Sequence, residues 1–391
     1  MTDISSFAGL RCSLTGRPEP GDGPLNLSAE GAPLFAHYDL EKAAATLRRD
    51  AMAGRTPSMW RYREVLPVAR EADIVSLGEG FSPLLPAPRL AGELGVAKLW
   101  IKDEGRNPTG SFKDRGMSVA ITMAKAFGIE RLVMPTAGNA GGSAAAYAAR
   151  AGLYIDVFMP RSAPRANHME CRRYGAALTV VEGFLDEAGR QAGAFGKEHG
   201  AFEISTFKEP YRVEGKKTMA YELVEQFDGR LPDVIVYPTG GGTGLVAMWK
   251  AFDELQALGW IGAERPRMTS VQAEGCAPIV KAFADGAETA EHWTDVTTRV
   301  SGLCAPRVLA DRLCLKAIRE SGGTAIAVPD REMFAFVDLA GGREGFSICP
   351  EGGACLAALH QLVKQGTIGA DERIVVFNTA NANKYTDILG A

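Results

Sequence analysis

The chain has 391 residues, 46% of them hydrophobic and 23% charged, with a net charge of −4. That length predicts two packed lobes, and that balance excludes disorder as the main state. With no run of Lys or Arg there is no basic stripe for a nucleic-acid backbone, and no apolar run reaches the roughly 18 residues of a membrane span.

Residues 1–6 lack a basic region followed by an apolar core, so no secretory signal is expected and the chain reads as cytoplasmic. The seven cysteines, at 12, 171, 276, 304, 314, 349 and 355, are scattered and contain no C-x-x-C pair. Reduced thiols are expected rather than a disulfide framework or a structural zinc. The five histidines show no H-E-x-x-H pattern and no i,i+4 pairing, so no metal site is expected.

Residues 14–33, rich in Gly, Pro and small polar types, read as a loop. From Lys98 onward, short β-rich runs alternate with helical stretches of about 10–15 residues. The pattern predicts strand 99–102, helix 112–127, strand 131–134, helix 140–151, strand 154–159 and helix 164–174. It continues with strand 178–181, helix 184–199, strand 201–204, helix 215–227, strand 234–237 and helix 244–258. Strand 268–271, helix 306–320, strand 325–328, helices 331–340 and 352–365, and strand 374–377 complete it. Such alternation predicts an α/β fold with parallel sheets covered by helices. Ligands then sit beyond the carboxyl ends of the strands, in the turns that lead into the next helix.

Three of those turns carry chemistry. In the first, Asn107 to Gly116, Lys113 stands in the first turn of a helix. The helix N-terminus is already partly positive, so the position favours a neutral, nucleophilic amine; a solvated lysine is the alternative. In the second, Thr136 to Ser143, Asn139 is placed as a helix cap or as a ligand amide. In the third, Tyr237 to Gly244, four glycines in five positions let backbone N–H groups converge at a helix start, which makes an anion cradle. It is neither a Walker A loop nor a G-x-G-x-x-G fingerprint. A lysine, an amide and a phosphate cradle together point to pyridoxal 5′-phosphate.

With those turns the chain resembles the fold-type II pyridoxal-phosphate enzymes, most closely the threonine synthases. The similar segments are Ser76–Pro83, Asn107–Gly116, Thr136–Gly152, Pro210–Thr218, Pro238–Gly244, Phe377–Thr379 and Lys384–Tyr385. The resemblance runs from about residue 58 onward. It implies a two-lobed fold like that of the tryptophan synthase β chain. A smaller lobe at about 113–209 would be inserted into a larger one made of 1–112 and 210–391, with 1–58 as an N-terminal extension.

The resemblance also implies roles. Lys113 matches the lysine that bonds the cofactor, and Phe112 packs on its ring. Asn139 bonds its 3′ oxygen, and Gly240, Gly241, Gly242, Thr243 and Gly244 hold its phosphate. Thr379 meets its ring nitrogen. Arg212 matches an arginine that contacts a substrate phosphate. One stretch departs from the family: a Gly-Ser-Gly-like run after the threonine is replaced by Ala380-Asn381-Ala382-Asn383. The implied protein is a homodimeric lyase of amino-acid biosynthesis, which eliminates phosphate from O-phosphohomoserine and adds water to give threonine. Three alternatives are elimination from serine or threonine, β-replacement on phosphoserine, and cofactor binding without turnover.

Overall fold

Three β-sheets organise residues 4–389, the part of the chain that the computed structural model describes. At the N-terminal end, β1 (Phe7–Cys12), β2 (Pro18–Glu19) and β3 (Leu34–Tyr38) form a small antiparallel sheet in the order β2-β1-β3. Sequence reading placed no strand there. Leu10, Cys12, Leu34, Ala36 and Tyr38 alternate inward, but a register shift between Phe7 and Gly9 leaves too few residues for the period-two signal.

The larger sheet uses β4 (Leu84–Pro86) and β5 (Lys98–Asp103). The chain then leaves it to build a four-stranded parallel sheet from β6 (Arg131–Pro135), β7 (Tyr154–Pro160), β8 (Ala177–Val181) and β9 (Phe202–Glu203), in the order β8-β7-β6-β9. It returns with β10 (Val234–Pro238), β11 (Arg267–Ala273), β12 (Thr324–Val328) and β13 (Arg373–Asn378). The six strands of the larger sheet lie in the order β12-β11-β10-β13-β5-β4, all parallel except β4.

Both faces of the larger sheet are covered, which explains why its strands read as continuous apolar runs. Ile235, Tyr237, Val375 and Phe377 face helices Tyr211–Gln226 and Thr243–Ala257 in one core. Their neighbours Val234, Val236, Ile374 and Val376 face helices Pro88–Leu94 and Pro350–Lys364 in the other. The smaller sheet is covered in the same way. Leu132, Met134 and Val157 pack against helix Asn139–Ala151, while Val133 and Phe158 pack against helix Leu185–His199. Among the described residues no helix is long and apolar enough to cross a membrane.

The strands and helices expected after residue 98 are present, with two altered starts. The helix expected at 215 begins at Tyr211, because the Glu209 carboxylate accepts from the Tyr211 N–H at 2.8 Å and the Arg212 N–H at 2.9 Å and so caps an earlier turn. The helix expected at 306 begins at Asp311, which leaves residues 301–310 as a loop. Helices Leu40–Ala44, Pro88–Leu94 and Pro278–Ala284 were not expected; the longer two hold seven residues each, too few for a helical period to stand out.

One buried ionic network joins the parts. Arg115, with no exposed surface, donates to Glu104 at 2.7 and 2.8 Å and to Glu222 at 2.5 and 2.8 Å. Lys102 of β5 donates to Glu222 at 2.7 Å. Glu222 also accepts from the Phe81 and Ser82 N–H groups. The start of helix Lys113–Ala126 is thereby locked to β5 and to helix Tyr211–Gln226.

Candidate active site

Helix Lys113–Ala126 begins on Lys113 itself, and neighbouring contacts fix the turn before it. The Phe112 N–H donates to the Thr379 carbonyl at 3.0 Å, and Ser111 bridges to Ala380. Asp114, next to the lysine, accepts from the Thr109 N–H and from the Ser143 hydroxyl, each at 2.6 Å. Burial pushes the Asp114 carboxyl up to about 6. The lysine amine has no such partner; it lies 4.5 Å from the centre of the Phe112 ring. Burial, and then the Arg212 charge, bring it down from 10.5 to about 8. Burial is the largest cause of this low proton affinity.

A cavity of about 330 Å³ opens in front of this amine. Phe112, Lys113, Asn139, Gly240, Gly241, Gly242, Thr243, Gly244 and Thr379 all line it, so three separate turns and the segment just after β13 meet there. The glycine run curls into the start of helix Thr243–Ala257. Gly242 has φ +77°, a left-handed conformation that glycine adopts without strain. A Cβ on Gly240 would overlap the Gly302 carbonyl oxygen, and one on Gly244 would overlap the Tyr237 hydroxyl. Gly240 and Gly244 therefore cannot be given side chains without displacing a neighbour, and the loop N–H groups stay open to a ligand. Gly240→Ala is expected to weaken uptake of pyridoxal phosphate at least about tenfold, because a backbone carbonyl cannot yield to the new methyl. Titration of the cofactor-free variant, followed by absorbance, checks this; an unchanged Kd would mean that the loop does not hold the phosphate.

Asn139 is the first residue of its helix and does not cap it. Its Nδ2 donates to the Tyr385 hydroxyl at 2.9 Å, and its Oδ1 is buried without a partner. Thr379 is buried, with its hydroxyl 3.7 Å from Cys349 Sγ.

Arg212 is not on the cavity wall. The earlier helix start carries it inward, where Nη1 donates to the Ile204 carbonyl at 2.8 Å and Nε has no partner. Burial lowers it to about 10. Lys216, one turn on, is fully buried beside it, and burial with the Arg212 and Lys113 charges pushes that amine well down. The carboxylate facing this group is Glu209, which burial raises to about 7.

Sequence reasoning missed three parts of the wall. Glu351 lies at the start of helix Pro350–Lys364, where an acidic residue is locally unremarkable. Tyr385 follows β13 and had no assigned role. The loop 301–310, read as partly helical, contributes Ser301, Gly302 and Arg307. Among the described residues no cluster of three or more His, Cys, Asp or Glu side chains is placed to share a metal ion.

The wall fits pyridoxal phosphate: a buried amine of low proton affinity for its aldehyde, a glycine-rich helix start for its phosphate, and a neutral hydroxyl and an amide for its ring.

The sequence model of the pyridoxal-phosphate dependent enzymes matches residues 75–380. The threonine synthase of Methanocaldococcus jannaschii is 35% identical over 378 residues, which cover 96% of this chain and 93% of that protein. The threonine synthase of Methanosarcina acetivorans is 36% identical over 329 residues, 84% of this chain and 80% of that one. Among solved structures, threonine deaminase isoform 2 of Solanum lycopersicum superposes with a TM-score of 0.65 at 21% identity, over 79% of this chain and 87% of that one. Maize serine racemase gives 0.65 at 20% identity, over 77% and 88%. At those identities the two structures speak for the fold alone. The matched span, the two synthases and the shared fold give one conclusion: the chain belongs to the pyridoxal-phosphate dependent enzyme family, as a threonine synthase-like lyase of fold type II.

Proposed function

We propose that the protein releases phosphate from O-phosphohomoserine and adds water to give threonine. The observation that carries this reading is the buried Lys113 amine, lowered to about 8, in a cavity whose chain is 35% identical to a threonine synthase over nearly its whole length. When bound, pyridoxal phosphate supplies an electron sink that loosens bonds beside the α-carbon of an amino acid. Lys113 anchors the cofactor and then moves protons at its Nζ. The loop Gly240 to Gly244 holds the phosphate, Asn139 donates to the ring oxygen, and Phe112 packs on the ring. Thr379 meets the ring nitrogen with a hydroxyl, which leaves that nitrogen less electron-withdrawing than a carboxylate would. The segment 113–209 acts as a smaller lobe that closes on the larger one over the substrate. Cysteines that are all free among the described residues suit work in the cytoplasm, and the family resemblance implies a homodimer.

Arg212 is assigned to the leaving phosphate. It retains an unpaired donor at Nε, and its planar fork suits a phosphate dianion. Arg212→Ala is expected to cost about 2–4 kcal/mol in kcat/KM on phosphohomoserine. The loss with unphosphorylated serine or threonine should be much smaller. Phosphate release from phosphohomoserine, with phosphoserine and threonine as controls, tests the substrate. No release from phosphohomoserine, with turnover of either control, would overturn the reading.

A further inference from the structure

Two carboxyls line the cavity: Glu203 is paired with the Lys208 amine at 2.9 and 3.1 Å, and Glu351 has no cation bonded to it. Glu351 is 3% exposed, and its side chain shares the cavity wall with Lys113. Its Oε1 accepts from the Tyr385 hydroxyl at 2.8 Å and from the Gly302 N–H at 3.1 Å. Its Oε2 is buried with no partner. The same Tyr385 hydroxyl accepts from Asn139 Nδ2, and Asn139 Oδ1 is the second buried acceptor here without a donor. Tyr385 thus holds two groups that each turn a free oxygen away from it. A buried acceptor left unpaired is costly, and a donor-rich ligand removes that cost. The ionisable groups felt by Glu351 are Cys349 at the cap of its helix, Cys355 within that helix, Tyr385 after β13, and Lys113; of these only Lys113 carries positive charge.

We propose that Glu351 Oε2 and Asn139 Oδ1 receive the α-ammonium group of the incoming amino acid, and that Glu351 takes a proton from it. The proposal rests on the reading of the cavity as the seat of an amino-acid reaction. One N–H bond breaks, its electron pair stays on nitrogen, and the proton joins Oε2. The carboxylate becomes a carboxylic acid and the ammonium a neutral amine. Only the neutral amine has the lone pair needed to bond an electrophilic carbon. Lys113 is committed to the cofactor before substrate arrives, and Glu351 on the same wall is a carboxyl with an unpaired oxygen that can take the proton. Burial raises the proton affinity of Glu351, which suits a base working near neutral pH.

The test follows the first absorbance change when the cofactor-loaded protein meets L-serine or L-threonine in a stopped-flow mixer. It is run at neutral pH and at a pH where the amino acid's own amine is neutral. Glu351→Gln keeps the shape and removes the acceptor. It should slow the first change at least about tenfold at neutral pH and recover towards the wild-type rate at high pH. Tyr385→Phe leaves the carboxyl but releases its Oε1, and should show a smaller loss with the same recovery. No slowing in Glu351→Gln, or a slowing that is constant with pH, overturns the proposal. Loss of the resting absorbance in both variants also overturns it, because the pair would then only support the bound cofactor. Phosphate release from O-phosphohomoserine is measured alongside. A wild type that gives the absorbance change but releases no phosphate refutes the substrate reading and leaves the Glu351 result to be judged by itself.

Discussion

Lys113→Ala should lower turnover at least about a thousandfold and remove the visible absorbance of the bound cofactor. Lys208 also lines the cavity, but its amine is held by Glu203 at 2.9 and 3.1 Å. Lys216 is off the wall, with its amine on the Arg212 carbonyl at 3.2 Å. Borohydride reduction and peptide mapping of the wild type should label Lys113, and a label on another lysine would refute the assignment. The same variant should also change stability. An amine lowered from 10.5 to about 8 costs the cofactor-free fold roughly 3 kcal/mol at neutral pH, since water would keep it charged. Below about pH 8 the folded and unfolded chains both hold that proton, and the cost is complete. Between about 8 and 10.5 only the unfolded chain holds it, so the folded state gains as pH rises. Urea midpoints of cofactor-free wild type and variant should therefore shift in favour of the wild type across that window. A constant difference would mean that the Lys113 amine is not desolvated.

Arg115→Leu should destabilise the protein by about 3–5 kcal/mol, because Glu104 and Glu222 would remain buried with Lys102 as the one cation between them. Against total stabilities of about 5–15 kcal/mol, that is a large fraction. The loss should appear both as a lower urea midpoint and as weaker cofactor uptake, since the network holds the start of the Lys113 helix. A variant within about 1 kcal/mol of the wild type would show that the two carboxyls protonate and need no partner.

What could be read from the sequence was what is local. The three turns and the end of β13 announce their chemistry within ten residues each, and the parallel topology brings their carboxyl ends to one place. Glu351 was not legible, because its helix-start position is an ordinary one for an acid, and only the contacts with Tyr385 and Gly302 aim it at the cavity. The surroundings of Arg212 were not legible either. The helix expected at 215 starts about one turn sooner, because Glu209 caps the backbone from outside it. Arg212 is therefore in the first turn of that helix and not on the cavity wall. The N-terminal sheet was hidden by its brevity and by the break at Gly9.

The strand order of the larger sheet sets a timetable for the chain as it leaves the ribosome. The four-stranded sheet finds all its partners within residues 131–203 and can pair early. The six-stranded sheet cannot, because β13 is made after every other strand and yet sits between β10 and β5. Until it emerges, β4–β5 and β10–β12 are separate pieces with open edges, which are templates for wrong pairing. Thr379 and Tyr385 follow directly behind β13. The nascent chain therefore acquires its last sheet partner and the last wall of its cavity in one step, and capture of the cofactor marks a polypeptide whose synthesis has passed β13.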